Sequence, residues 1–453
     1  MNHYPPKDGS RTSSEQEKAA GDPALRETGV RPEMDPNHGH NFLMAIVYQC
    51  CLRVGWIFKT ESIILPAVLD VIGGSGWLRG CLPMLNRLGQ SVPPLLASDW
   101  IRNSRYKKQI LVGSTAMMGL CFVTLSLVWV VTGGNQTWYL PLIFLLIYGV
   151  FFASTGINML VLTTLIGKII QTRRRGSMSL WATVAGAALA VTCAIWLLGL
   201  WLEGDPTRQG DSRFDLIFGF TGLCFLLAAF VASTFREPAD NYKTPRRTGW
   251  ELLKASVATL RQDRNFLLLA TITFLFGMSV TLFPHYQRLA RDRFDLSLTA
   301  LIPWVIAQNI GAALISIPAG WIADRLGTRL VLRCMMLIVC IAPVLSLVLV
   351  QFEQLGRGWF TLVFGLLGLV PVTMRMFNYY TLEVAGPADH PKYLSTMSIA
   401  LAVPSVLLGS LVGAMIDWIS FEFVFILVTL FTFTGWMLTW FLAEPRHAEA
   451  NAP

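Results

Sequence analysis

Residues 320–329 read GWIADRLGTR and join two long apolar runs of the sequence. Gly320 removes a side chain where neighbouring helices can approach closely, and Gly327 permits a tight turn. At a membrane edge, Asp324 can accept hydrogen bonds from the N-terminus of a neighbouring helix and can pair with Arg325 or Arg329. A loop that is merely rich in basic residues would leave both glycines unexplained. The segment therefore predicts a charged turn between two membrane helices.

The composition around this turn excludes a soluble globular protein. Of the 453 residues, 53% are hydrophobic and 14% are charged, and the mean hydropathy is +0.52. Soluble domains carry about a quarter charged residues. Crossing the roughly 30 Å hydrocarbon core takes about 20 apolar residues, so the chain has room for about a dozen helices. We predict an all-α polytopic membrane protein with twelve transmembrane helices.

The apolar runs give the positions of these helices to within a few residues. Hydropathy does not distinguish one long first helix from a helix kinked at Pro66. The predicted segments are residues 42–70, 76–97, 109–132, 139–167, 177–202, 214–235, 266–287, 299–322, 330–350, 359–384, 394–416 and 421–442.

Loop charges predict the topology. The 36 basic and 28 acidic residues give a net charge of +8, and most Lys and Arg residues fall on one side of the predicted membrane. Cytoplasmic loops collect Lys and Arg, so we expect a multi-pass protein of the plasma (cytoplasmic or inner) membrane with both termini in the cytoplasm. Arg288, Arg291 and Arg293 contradict this charge rule, because they fall on the opposite side of the predicted membrane. The expected organisation is a disordered tail (1–40), a six-helix bundle (41–235), a cytoplasmic linker (236–265), a second six-helix bundle (266–443) and a tail (444–453).

The segment at 320–329 resembles the loop signature of the major facilitator superfamily, which follows the second helix of each six-helix half. The first half holds a degenerate copy in which Asp99 is kept. The resemblance implies two six-helix halves, an MFS fold and secondary transport by alternating access. It also implies that this motif gates the cytoplasmic side, through Asp99, Gly320, Asp324, Arg325, Gly327 and Arg329.

Charges inside the spans indicate the functional site. Each costs at least about 2.5–3.5 kcal/mol to insert, so a group of them is a functional hypothesis. Arg53, Lys59, Glu61, Arg87 and Arg375 all lie in segments that, by the resemblance, line a central cavity. At about 100° per residue, Lys59 points nearly opposite Glu61 on a continuous helix, so we expect Glu61 to meet Arg53 or Arg87.

The excess of cationic side chains favours a solute that carries a carboxylate or phosphate. Structural salt bridges, or a hydrophobic or zwitterionic solute, are the alternatives. We assign proton coupling to Glu61 and, secondarily, to His285, which an interfacial position also explains. Each uncharged polar candidate named in the next sentence could instead form a helix–helix hydrogen bond. The substrate-binding candidates are Arg53, Lys59, Arg87, Gln90, Asn158, Gln308, Arg375, Asn378 and Tyr379.

We therefore predict a monomeric secondary transporter of a small organic solute, driven by protons through symport or antiport. The sequence has no P-loop and no HExxH motif, and its eight cysteines show no metal-ligand spacing, so we expect no enzyme activity, cofactor or metal. Its expected partners are the solute, protons and the lipid bilayer, with no nucleic acid. The alternatives are a drug-efflux protein of the same fold and a membrane sensor or scaffold that does not transport.

Overall fold

The computed structural model describes residues 38–202, 213–240, 254, 258–261, 263–385 and 390–443. The predicted C-terminal tail, most of the predicted N-terminal tail and much of the predicted linker lie outside these residues. The described chain is almost entirely helical and contains no strand.

Each of the twelve predicted segments holds a helix or an interrupted helix, and we number them spans 1 to 12. Their bounds in chain order are His38–Phe58 with Ile64–Val71, Gly76–Asn103, Lys107–Thr132, Leu140–Ile169, Thr172–Cys193 with Ala194–Leu198 (a π-helix) and Gly199–Leu202, Phe214–Ser233, Arg264–Thr281 with Phe283–Phe294, Leu301–Leu326, Thr328–Leu349, Glu353–Leu367 with Val370–Val384, His390–Trp418, and Phe421–Leu438.

Span 2 differs from the others in its polarity. Among the described residues, eleven spans are long and apolar enough to cross a membrane, and the helix Gly76–Asn103 is the exception. It contains Arg79, Arg87 and Gln90, and it packs between span 4 of its own half and span 11 of the other half. Its polar face is thus covered by protein rather than by lipid.

Span 1 is broken in the middle. Its first helix ends at Phe58, and the next begins at Ile64, whose N–H donates to the Thr60 carbonyl over 2.9 Å. Pro66 lies in the first turn of the second helix, where its missing N–H leaves no partner unsatisfied. The interruption therefore precedes the proline that suggested a kink. Interrupted helices supply binding groups in many transporters, because their backbone and side chains are free to meet a solute.

The two halves, spans 1–6 and 7–12, meet most closely at one end of the bundle. We call it the far end, and it contains residues 59–76, 282–300 and 417–422; the linker end is the opposite one. Glycines allow the backbones of spans 2 and 11 to touch there. A Cβ on Gly80 would lie 2.1 Å from the Gly409 carbonyl oxygen, and a Cβ on Gly413 would lie 1.9 Å from that of Gly76. Neither distance leaves room for a side chain.

We expect Gly413→Ala to loosen the far end, because the methyl group overpacks backbone against backbone at a cost of about 1–3 kcal/mol. Cys81 reports on this interface: it is 4% exposed, and its Sγ lies 3.2 Å from Ser410 Oγ across the two halves. Alkylation of Cys81 should be about tenfold faster in the variant. Gly358→Ala is the control, because a Cβ there has no atom within 4 Å. Equal alkylation rates in the two variants would contradict the prediction.

The linker end of the first half is held by two carboxylates that follow span 6. Glu237 accepts hydrogen bonds from the backbone N–H groups of Lys107 (3.0 Å) and Lys108 (2.7 Å), where span 3 begins. Asp240 pairs with the side chains of Lys107 and Lys168. Burial raises the pKa of Asp240, but the hydrogen bonds from the two lysines outweigh it and hold this pKa below its ordinary value. The basic loop of the degenerate motif copy is thus tied to the end of span 6.

Candidate functional site

The interruption in span 1 brings Lys59 and Glu61 together. Lys59 Nζ lies 2.8 Å from Glu61 Oε1, and the two side chains are 1% and 22% exposed. The expectation that they point apart is wrong, because it assumed a continuous helix where the α-helix ends at Phe58. Outside helical geometry, side chains two residues apart can lie on the same side of the chain.

Aromatic rings surround the buried ammonium of Lys59. Its Nζ lies 3.6 Å from the ring centroid of Trp56, 4.4 Å from that of Phe152 and 4.9 Å from that of Phe151. Cation–π attraction strengthens when water is excluded, so these faces help to offset the cost of burial. Lys59 is therefore a fixed internal charge, held by three rings and one carboxylate.

Glu61 also connects to span 2. Asn86 donates to Glu61 Oε2, and Gln90 donates in turn to Asn86 Oδ1. The hydroxyl of Tyr148, which is fully buried, makes no hydrogen bond of normal geometry but lies within electrostatic reach of Glu61. The expectation that Glu61 pairs with Arg53 or Arg87 is also wrong in this conformation, since its cationic partner is Lys59.

Arg87 extends from span 2 towards the second half. Its Nη2 lies 3.3 Å from the thioether sulfur of Met374 in span 10, and its buried Nε has no hydrogen-bond partner. The charge of Glu61 acts on it from beyond ion-pair distance. A thioether is a weak acceptor, so most of the hydrogen-bonding capacity of this guanidinium is unused.

Arg53 and Arg375 belong to different halves, in spans 1 and 10. They lie within range of mutual electrostatic repulsion, and both are exposed. Arg375 makes one long contact, 3.4 Å from Nη2 to Ser316 Oγ in span 8. Among the described residues, no carboxylate lies within 4.0 Å of the guanidinium of Arg53, Arg87 or Arg375. Spans 1, 2 and 10 thus carry three arginines that have no acidic partner within ion-pair distance in the described part of the chain, and we call them the arginine region.

Some of the remaining candidates lie near these three arginines, and others lie elsewhere in the fold. Gln308 joins the arginine region, because its Oε1 accepts a hydrogen bond of 2.6 Å from Ser62 of the other half. Asn378 and Tyr379 are exposed on span 10, near Arg375 in sequence. Asn158 is buried inside the first half, where its amide donates to Thr115 (2.7 Å) and Tyr48. His285 is fully buried at the far end. The structure therefore does not bring Asn158 and His285 together with Arg53, Arg87 and Arg375.

The turn after span 8 has the predicted backbone. Gly327 has φ of +97°, which favours glycine, and Arg329 Nη1 donates to the Leu442 carbonyl over 3.0 Å. Arg325 lies over the ring of Trp321, 4.6 Å from its centroid. The close approach expected at Gly320 is absent in this conformation, because no atom lies within 4 Å of a Cβ built there. Asp99 and Asp324 lie in helices, but their side chains are outside the described part of the structure.

Sequence reasoning missed the aromatic groups around Lys59, although Trp56 lies only three residues before it. It also missed the use of Asp70 and Arg79 at the far end, discussed below. Both residues are charged and close to the ends of apolar segments, which was the available signal.

Comparison with known proteins agrees with this architecture. The family model of the Major Facilitator Superfamily matches residues 289–453. No curated protein sequence matches the chain significantly.

Solved structures of transporters share the fold over most of the chain. A variant of the nucleoside transporter NupG aligns with a TM-score of 0.68 at 11% identity, covering 89% of this chain and 100% of that one. A bacterial homologue of the human lysosomal transporter Spinster, inward-facing and unoccupied, gives 0.62 at 12% identity, covering 90% and 97%. The fucose:proton symporter FucP of E. coli gives 0.56 at 12% identity, covering 89% and 98%. The second half of the chain thus matches the family model of the Major Facilitator Superfamily, and the described chain as a whole shares the fold of these transporters.

Proposed function

We propose that the protein moves a small organic anion, with Arg53, Arg87 and Arg375 as its binding groups. The observation that carries this proposal is the absence of any acidic partner within ion-pair distance of the three guanidiniums among the described residues. Fixed arginines that serve only structure are normally paired, because an unpaired charge is costly away from water. Each planar guanidinium can bind a carboxylate or phosphate through two parallel hydrogen bonds.

The position of the arginines links binding to movement. Arg53 belongs to the first half and Arg375 to the second, so their repulsion opposes closure of the space between them. An anion between the two guanidiniums would replace repulsion by two attractions and favour closure around the solute. Because the halves already touch at the far end, the solute would then be enclosed from both sides. This is the differential binding of two conformations that alternating access requires.

We further propose that the transport is coupled to protons through Glu61. Arg53, Lys59, Arg87 and Arg375 give the region four positive charges, and Glu61 gives it one negative charge. A proton on Glu61 removes the negative charge and strengthens the attraction for an anion. Proton and anion binding would then favour each other, and this coupling is reciprocal. Gating of the linker end by Asp324, Arg325 and Arg329, with the topology in which that end is cytoplasmic, completes the proposed cycle.

A competition screen in proteoliposomes tests the substrate class. The purified chain is reconstituted, and uptake or counterflow is measured for a dicarboxylate, a phosphomonoester, a neutral sugar and a hydrophobic cation. We expect one of the anions to be transported and to compete with related anions. Transport confined to the sugar or the cation would contradict the proposal, and the cation result would favour drug efflux. An absence of transport with any probe class would favour a sensor or scaffold.

A further inference from the structure

One carboxylate at the far end has partners from both halves. The Asp70 side chain, at the end of span 1, is 2% exposed. Its Oδ1 accepts a hydrogen bond of 2.6 Å from Arg79 Nη1 of span 2, and its Oδ2 accepts one of 2.8 Å from Gln287 Nε2 of span 7. The guanidiniums of Arg288 and Arg291, also in span 7, each lie 3.8 Å away.

A second carboxylate binds from the opposite direction. Asp417, at the end of span 11, accepts a hydrogen bond of 2.6 Å from the backbone N–H of Gly76, the first residue of span 2. Its other oxygen lies 3.5 Å from Arg79 Nη2. Arg79 is thus held by carboxylates of both halves, and a negative charge at the N-terminus of span 2 is favoured by the helix dipole.

We propose that Asp70 is the central group of a far-end gate, formed with Arg79, Gln287, Arg288, Arg291 and Asp417, which holds the halves together and breaks each time the transporter opens at this end. Within the described residues, the cross-half contacts of Asp70 come from span 7, and those of Asp417 come from span 2. Separation of the halves therefore breaks both sets of contacts at once. The proposal rests on alternating access and not on the identity of the solute.

The gate also accounts for the arginines that contradict the loop-charge rule. Arg288 and Arg291 lie beside Asp70, and Arg288 Nε additionally pairs with Asp292 Oδ2 over 2.6 Å. Arg293 pairs with Glu422 at the start of span 12. All three basic residues therefore have acidic partners at the far end, which supports this end as their place in the fold.

The gate has features of a contact that can open. Arg79 Nε, Gln287 Oε1, Arg291 Nη1 and both ring nitrogens of the neighbouring His285 are buried without a hydrogen-bond partner among the described residues. Buried polar atoms that lack partners recover hydrogen bonds when water reaches them. Opening therefore returns part of the energy that breaking the Asp70 contacts requires. The gate can hold the closed state without fixing it permanently.

The alkylation rate of Cys81 by a small maleimide tests the gate without any substrate. Peptide mass spectrometry separates Cys81 from the seven other cysteines of the full chain. Asp70→Asn keeps the side-chain shape and removes the charge that three arginines share, so we expect alkylation at least about tenfold faster than in the unaltered protein. Asp215→Asn is the control, because Asp215 pairs with Arg213 of its own half over 3.1 Å and lies outside the gate. It should be alkylated at the unaltered rate.

Unchanged alkylation in a folded Asp70→Asn protein would overturn the gate. If that variant does not fold, Gln287→Ala is the second test of the gate. It removes the hydrogen bond between the halves and leaves the pair of Asp70 with Arg79. A severalfold increase in rate supports the gate, and an unchanged rate overturns it. Neither result depends on whether the solute is an anion, so failure of the gate and failure of the substrate proposal are distinguishable.

Discussion

Replacing Arg375 with alanine is expected to weaken binding of the proposed anionic solute by about a hundredfold. Removing one member of a charge pair that becomes desolvated on binding costs about 2–5 kcal/mol, and each 1.4 kcal/mol is a factor of ten. Arg375 is available for this contact, since its one described hydrogen bond is the 3.4 Å contact with Ser316. Equilibrium binding of the anion identified in the competition screen measures the effect.

Two further variants separate the shape of the guanidinium from its charge. Arg375→Lys keeps the charge but loses the bidentate geometry, so its affinity should lie between those of alanine and arginine. Arg357→Ala is the matched control, because Arg357 donates to the Phe294 carbonyl at the far end over 2.7 Å and lies 3.8 Å from the exposed Glu353. We expect the control to bind normally. An Arg375→Ala protein that binds the anion as tightly as the unaltered chain would exclude the arginine site.

Sequence alone predicted the architecture because burial in lipid is a property of long segments. Each predicted apolar run contains a helix or interrupted helix, including span 2, whose helix falls below the hydropathy needed to cross by composition alone. Its position in the fold follows from the predicted runs of spans 1 and 3 on either side of it and from the glycines that pack against span 11. The turn at Gly327 was also predictable, because a positive φ favours one residue type.

The pairing of Lys59 with Glu61 was not predictable from spacing. The prediction used the period of an α-helix, and no proline or glycine lies at residues 59–63 to indicate that the helix stops there. Tertiary contacts favour the break: the ammonium enters a group of aromatic rings, and Ser62 reaches Gln308 of the other half. Such contacts join residues far apart in the chain, so local periodicity does not contain them.

The far-end gate escaped prediction for the same reason. Asp70 and Gln287 are 217 residues apart, and only the packing of span 1 against span 7 brings them together. Asn158 illustrates a different limit of sequence reasoning. A lone asparagine in an apolar span indicates a polar partner but not whether that partner is a solute or a hydroxyl such as that of Thr115.

We assign the proposed proton coupling to Glu61 because, of the acidic side chains described, it is the one that joins the arginine region. Its negative charge offsets part of the charge of four cationic groups, and 22% of its side chain is exposed. Lys59 comes from the same interrupted segment and moves with it, so the Lys59–Glu61 pair is not broken by rocking of the halves. In the proposed cycle, the charge state of Glu61 would change through protonation and through the arrival of the solute, rather than through the loss of its partner.

Glu61→Gln should abolish accumulation of the solute driven by a pH gradient and preserve its exchange across the membrane. The glutamine oxygen still accepts the hydrogen bond of Lys59, and the neutral side chain mimics the protonated state that binds the anion well. In the unaltered protein, the affinity for the anion should rise as the pH falls; in the variant, it should stay high and lose this dependence. Counterflow and gradient-driven uptake in the same proteoliposomes measure the two activities, with Glu353→Gln as the control, because Glu353 is 75% exposed.

A structural role for Glu61 would reduce both activities together. Accumulation that persists in Glu61→Gln would exclude this residue as the proton carrier, because a glutamine cannot carry the proton through the cycle.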